Sequence, residues 1–227
     1  MNGVFREDEI DCLSLLKLAE KKGAFDIFQD DLRNICEILL CEILKKNRAQ
    51  LYLENPVLNK EGLEKLFFYF RELSLGKPLA FLLNKAYFYG LEFYVDENCL
   101  IPRPETEILV EKTLDIARGI NQKELLIYDF CTGSGNIAVS LTKFLTCCRI
   151  RAIDISPKAL KVAYKNACFH EVDRRIDFIC SDLAQGIKRG CKADIIVSNP
   201  PYISSIDMKA LPLNVKQEPV LALDGGS

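Results

Sequence analysis

The stretch Leu125-Leu126-Ile127-Tyr128-Asp129-Phe130-Cys131-Thr132-Gly133-Ser134-Gly135-Asn136 is an apolar run of strand length that breaks at two glycines. It then opens a helical pattern carrying Ile137, Leu141, Phe144 and Leu145. Strand, glycine turn and helix are the first half of a β-α-β unit, and glycines at 133 and 135 let the backbone approach a ligand closely. The pattern repeats downstream. A second strand over Arg149 to Ile155 leads into Ser156-Pro157, a helix start, with Leu160, Ala163, Tyr164 and Ala167 on one face. Further strands are expected at Ile176 to Ser181 and Asp194 to Ser198. Alternation of this kind specifies an α/β fold with a mostly parallel, doubly wound sheet, whose ligands bind at the carboxyl ends of the strands.

Those strand ends carry the chemistry. The G-x-G alone is weak, and Ala138 at the third glycine position of a dinucleotide fingerprint leaves NAD open on that pattern. Asp154 ends the second strand, where a carboxylate can accept hydrogen bonds from both ribose hydroxyls, and Asp182 ends the third in the same way, within reach of an adenine amino group. The fourth strand ends in Asn199-Pro200-Pro201-Tyr202. Two prolines hold that backbone extended, so the Asn199 side-chain oxygen and the Pro200 carbonyl can accept both N–H bonds of a planar amide or aryl amine. Such a nitrogen is a poor nucleophile, and two-point holding orients it and offsets its developing positive charge. Tyr202 is expected to pack on the flat face of the same group. An adenosine pocket beside this motif points to methyl transfer rather than hydride transfer, with no metal site required.

Toward the N-terminus the period changes. Leu13, Leu16 and Ala19, then Ile35, Leu39, Ile43 and Leu44, then Leu63, Leu66, Phe67 and Phe70 recur at helical spacing, giving a small helical bundle over residues 1–80. Asp30 and Asp31 signal the second helix start, and Gly23, Asn47, Pro56 and Gly76-Lys77-Pro78 read as breaks. Residues 81–100, with Ala86 to Val95 rich in aromatic and β-branched residues around Gly90, predict a β-hairpin joining this bundle to a domain over 101–227. Ile101-Pro102-Arg103-Pro104-Glu105-Thr106 is an extended turn, and Pro104 with Glu105 and Glu107 opens a helix that places Val110, Leu114 and Ala117 on one face.

Composition excludes several classes. The 227 residues carry a net charge of -2, spread evenly, and a hydrophobic fraction of 49%, which suits a buried core and offers nothing to track a phosphate backbone. No apolar run approaches the ~20 residues of a membrane span and no leader opens the sequence, so a cytoplasmic location is expected. A single histidine, His170, argues against Ser-His hydrolases and His-rich metal sites; it reads as a solvated helix end. Ten cysteines lack any C-x-x-C spacing and read as reduced, mostly buried thiols.

Taken together, these segments resemble the peptide-chain release factor N5-glutamine methyltransferases. The matching stretches are Gly76 to Phe81, Phe88 to Phe93, Leu100 to Thr106, Thr132 to Gly135, Asp154 to Pro157, Ser198 to Ile203, Glu218-Pro219 and Leu221 to Gly226. Asn-Pro-Pro-Tyr alone is shared with nucleic-acid adenine-N6 methyltransferases, whereas the hairpin and Ile101 to Thr106 belong more narrowly to the release factor family. The resemblance implies a helical domain that docks the release factor and a Rossmann-like, seven-stranded domain that binds S-adenosylmethionine. It also implies methylation of the glutamine in the factor's Gly-Gly-Gln loop. Carried over by position, Cys131, Thr132, Gly133, Ser134 and Gly135 form the methionine-side loop, Asp154 holds the ribose, and Asp182 and Leu183 flank the adenine. Asn199, Pro200, Pro201 and Tyr202 hold the glutamine amide, and Arg103, Glu105 and Thr106 line the rim. Cys131 stands where the family often has glycine, and Leu183 where an aromatic is common. The family's sheet continues past Gly226, so a chain ending there would leave the fourth strand as an edge, lack one pocket wall and turn over weakly or only bind.

Overall fold

The computed structural model describes residues 9–20, 32–120, 124–188 and 190–226; the signals expected at Gly23, Asp30 and Asp31 lie outside the described residues. The chain forms two compact units, Met1–Lys77 and Pro78–Ser227.

In the first unit the order is β1 (Ile10–Asp11), α1 (Cys12–Glu20), α2 (Leu32–Leu44), α3 (Arg48–Glu54), β2 (Val57–Leu58) and α4 (Lys60–Ser74), with β1 and β2 paired antiparallel. Asn47 caps the start of α3. Its side chain accepts the Gln50 N–H at 2.9 Å, and the Gln50 side chain accepts the Asn47 N–H at 3.0 Å. This reciprocal cap satisfies donors at the start of α3, a helix the sequence reading passed over. Leu16, Leu39, Leu40, Leu51 and Leu66 are buried together with Tyr69 and Leu73. Phe67, expected to face inward, is 67% exposed: a step of about 100° per residue turns it off the stripe that carries Leu66, Tyr69 and Leu73.

The second unit runs α5 (Leu79–Leu83), β3 (Ala86–Phe88), β4 (Leu91–Phe93), α6 (Glu105–Gly119), β5 (Leu125–Phe130), α7 (Asn136–Phe144), β6 (Cys148–Asp154), α8 (Pro157–Phe169), β7 (Ile176–Cys180) and β8 (Ile195–Ser198). It closes with β9 (Ile203–Ser204), α9 (Val220–Leu223) and β10 (Asp224–Gly226). Among the described residues its main sheet has four parallel strands in the order β7-β6-β5-β8. All four match the expected strands to within one residue at either end. The chain steps outward from β5 to β6 to β7 and returns to β8 on the other side of β5. Such a reversal opens a crevice at the carboxyl ends of β5 and β8.

Helices α6, α7 and α8 pack on this sheet. In α6, Val110, Leu114 and Ala117 are buried, and in α8, Leu160, Ala163 and Ala167 are buried behind a Ser156 cap that accepts the Ala159 N–H at 3.2 Å. Val110, Leu114, Ala117 and Ala167 join Ile127, Ile150 and Val197 of the sheet in one cluster that also includes Phe88 and Phe93. The hairpin is therefore part of the second unit's core and not a free connector. Its turn residues Tyr89 and Gly90 both take positive φ, 50° and 73°, the conformation that two-residue hairpins of native twist demand.

Two expectations about polar and sulfur groups are corrected. All ten cysteines are free, but Cys147, Cys168, Cys180 and Cys191 are exposed, so burial is not the general rule for them. His170 does end a helix, yet it is half-buried, with Nε2 2.6 Å from the Glu92 carbonyl and its ring against Phe93. It serves packing between α8 and β4.

Candidate active site

At the carboxyl ends of β5, β6 and β8 the second unit encloses a cavity of about 340 Å³, within the range of small-molecule sites. The loop after β5 contributes Cys131 to Ser134, and the loop after β6 contributes Asp154 to Ser156. Asn199 to Pro201 follow β8, with Asp182 and Leu183 beyond β7. The cavity thus gathers most of the sequence-expected site. Three residues fall outside its lining. Tyr202 is 77% exposed, Glu105 faces solvent, and Gly135 turns toward α8. A Cβ on Gly135 would meet the Ala163 Cβ at 2.9 Å, and its φ is 78°; only glycine suits this close approach of the loop to α8.

The loop after β5 is fastened from several sides. Thr132 donates its backbone N–H to the Ile153 carbonyl at 3.1 Å, and its hydroxyl donates to Asp129 Oδ2 at 2.6 Å. Asp154 Oδ2 accepts the Gly133 N–H at 2.9 Å, and Oδ1 accepts the Ser156 N–H at 2.9 Å. Each carboxylate oxygen keeps a further lone pair for a ligand. Cys131 has φ 58°, the left-handed region that favours glycine, which accounts physically for glycine being common at this position. Asp182 differs from Asp154: it lies beyond the end of β7, is exposed, and accepts from Gln185 Nε2 at 2.9 Å.

Sequence reasoning passed over Asn166 and gave no role to Glu218 and Gly225, which stood only within stretches that carry the resemblance. Asn166 is fully buried in α8. Its Nδ2 donates to the Tyr94 carbonyl at 2.9 Å and the Ser134 carbonyl at 2.8 Å, and its Oδ1 accepts the Tyr94 N–H at 2.7 Å. An asparagine inside a helix is a poor helix former, and that was the one available signal. Glu218, 4% exposed, accepts the Ile101 N–H at 3.0 Å and pairs with Arg103. Gly225 lies on the Asn-Pro-Pro-Tyr backbone, where a Cβ would come within 2.8 Å of the Pro201 carbonyl oxygen. Pro219, Leu221 and Gly225 line the cavity, so the segment after Asn199 contributes to its wall.

Residues 105–216 match the methyltransferase small domain family. The release factor glutamine methyltransferase of Chlorobaculum tepidum is 40% identical over 205 residues, 86% of this chain and 69% of that one. Its namesake in Bacillus subtilis is 39% identical over 203 residues, covering 85% and 68% of the two chains. This chain belongs to the release factor glutamine methyltransferase family. The namesake in Flavobacterium psychrophilum is 47% identical over 154 residues, 67% of this chain and 53% of that one. The chain therefore spans between 53% and 69% of the length of these three relatives.

Methyltransferases of this family use S-adenosylmethionine, and the cavity fits that donor. It offers a carboxylate at the end of β6, a tightly held turn after β5 and apolar walls at Ile155 and Leu183. The thiols near it do not supply a nucleophile at neutral pH. Burial pushes Cys99 up to about 12, and burial followed by the nearby Asp154 charge raises Cys131. Beneath the loop, Asp129 is fully buried and desolvation raises its carboxyl to about 7 against the hydrogen bond from Thr132. Among the described residues no helix is long and apolar enough to cross a membrane.

Proposed function

We propose that this chain methylates the side-chain nitrogen of the glutamine in the Gly-Gly-Gln loop of a peptide-chain release factor, acting in the cytoplasm. The observation that carries the reading is the shared cavity of Asn199 and Asp154, which sets an amide-holding group beside a nucleoside-holding one. When bound, S-adenosylmethionine supplies a methyl group activated by its sulfonium.

The chain's own residues do the rest. Cys131 to Ser134 form the turn against the methionine end, Asp154 accepts from the ribose hydroxyls, and Asp182 and Leu183 flank the adenine. Ser198 donates its hydroxyl to the Phe130 carbonyl at 2.9 Å, which ties the end of β8 to β5 and fixes where Asn199 starts. Asn199 donates through Nδ2 to the Thr106 hydroxyl at 3.2 Å, leaving Oδ1 as an acceptor. That oxygen and the Pro200 carbonyl accept the two N–H groups of the glutamine amide. They orient its nitrogen and offset the positive charge that grows on it.

The first unit is the docking domain in this reading. Its exposed apolar side chains, Leu53 at 86%, Phe67 at 67% and Leu75 at 63%, suit contact with a protein surface. Incubating the chain with labelled S-adenosylmethionine and a release factor tests the function. Label is expected on the native factor and not on one whose Gly-Gly-Gln glutamine is replaced by alanine; equal labelling of both would overturn the reading.

A further inference from the structure

We propose that Glu218 is a positioning residue for methyl transfer, acting through the Ile101–Thr106 turn on Asn199; this rests on the functional reading above. Glu218 is a buried carboxylate whose side chain is 2% exposed, paired with an Arg103 side chain that is 32% exposed. A buried charge is tolerated when it is both paired and hydrogen-bonded, and Glu218 meets both conditions within a single three-residue stretch. One oxygen accepts the Ile101 N–H at 3.0 Å and the other takes the Arg103 guanidinium. Arg103 in turn accepts the Thr106 N–H at its carbonyl at 3.0 Å, the bond that opens α6. Thr106 is 7% exposed, and its hydroxyl accepts Asn199 Nδ2–H at 3.2 Å.

The contacts form one chain: Glu218 fixes the turn, the turn fixes the hydroxyl, and the hydroxyl holds the Nδ2 end of the Asn199 amide, which leaves Oδ1 free to accept. An asparagine flipped end for end presents N–H groups where an acceptor is needed, and it repels the incoming amide rather than holding it. Glu218 touches neither substrate nor donor in this scheme. Its influence is on the orientation of a group that does.

The test reads that orientation directly. In ¹⁵N-labelled chain the side-chain NH2 signal of Asn199, assigned by its loss in Asn199→Ala, is compared among wild type, Thr106→Val, Thr106→Ser and Glu218→Gln. The signal is expected to shift or broaden in Thr106→Val and Glu218→Gln and to stay near wild type in Thr106→Ser. Single-turnover rates follow on the same proteins. Glu218→Gln and Thr106→Val are each expected to slow transfer roughly tenfold, and the double variant by about the same tenfold rather than a hundredfold, because both break one chain of contacts. If Glu218→Gln does not fold, Arg103→Lys keeps the charge and replaces the guanidinium that reaches Glu218, and the same signal change is expected. An Asn199 signal unmoved by either variant, or rate losses that multiply, would overturn the proposal. A wild type that binds donor yet transfers nothing would instead overturn the functional reading, and the amide signal would still judge Glu218.

Discussion

The carboxylate of Asp154 accepts the backbone N–H of Gly133 at 2.9 Å, which locks the end of β6 to the turn after β5. One side chain thus shapes the loop after β5 and, in the proposed function, presents the ribose acceptor. Asp154→Ala removes both, so donor affinity is expected to fall by about 2 kcal/mol through lost charge-assisted hydrogen bonds. Calorimetry with S-adenosylmethionine measures it, and an unchanged Kd would remove Asp154 from the donor site.

Asn199→Ala should leave donor binding within about threefold of wild type and lower kcat on the order of 10²-fold or more, because its acceptor matters most as charge develops on the nitrogen. Parallel calorimetry and single-turnover kinetics separate the two effects. A variant that turns over normally would rule out the amide-holding role.

Asn166 joins α8, the strand end at Tyr94 and the loop at Ser134 through three hydrogen bonds. Replacing it with leucine strands two carbonyls and one N–H in a dry site, with an expected cost of about 3 kcal/mol. Urea unfolding reads the loss as a lower midpoint. Donor affinity should also drop, since the Ser134 carbonyl loses its anchor.

The Asp129 carboxyl stands at about 7 in the fold against an ordinary 3.8. The folded chain therefore holds that proton more tightly than the unfolded chain does. The stability this contributes is full below the unfolded value and is lost as pH rises through the folded one. Asp129→Asn cannot titrate, so its melting temperature relative to wild type is expected to climb between about pH 4 and pH 7 and to level off above that. A difference independent of pH would show that the site does not take up a proton.

The second unit's strands were legible because β5 and β8 are short apolar runs ending near glycine and at Asn-Pro, while β6 and β7 mix apolar with charged positions and end before Ser-Pro and Ser-Asp. Asp154 and Asn199 were legible for the same reason: each stands at a strand end that the pattern locates. Glu218 and Asn166 were not, since their partners lie 117 and 72 residues away for the Ile101 and Tyr94 bonds. No local spacing encodes such a pairing. Gly135 has a neighbour that spacing did not show, Ala163 of α8, because a positive φ serves a helix contact as readily as a ligand contact. Tyr202 was assigned by its motif, and its 77% exposure shows that the motif specifies the backbone before it specifies the ring.

The most direct measurement is a crystal structure of this chain with S-adenosylhomocysteine and a peptide containing Gly-Gly-Gln. The account predicts the adenosine between the Thr132–Ser134 turn and Asp154, with the glutamine amide donating to Asn199 Oδ1 and the Pro200 carbonyl. A glutamine bound elsewhere, or an Asn199 side chain turned out of the cavity with both ligands present, would contradict it.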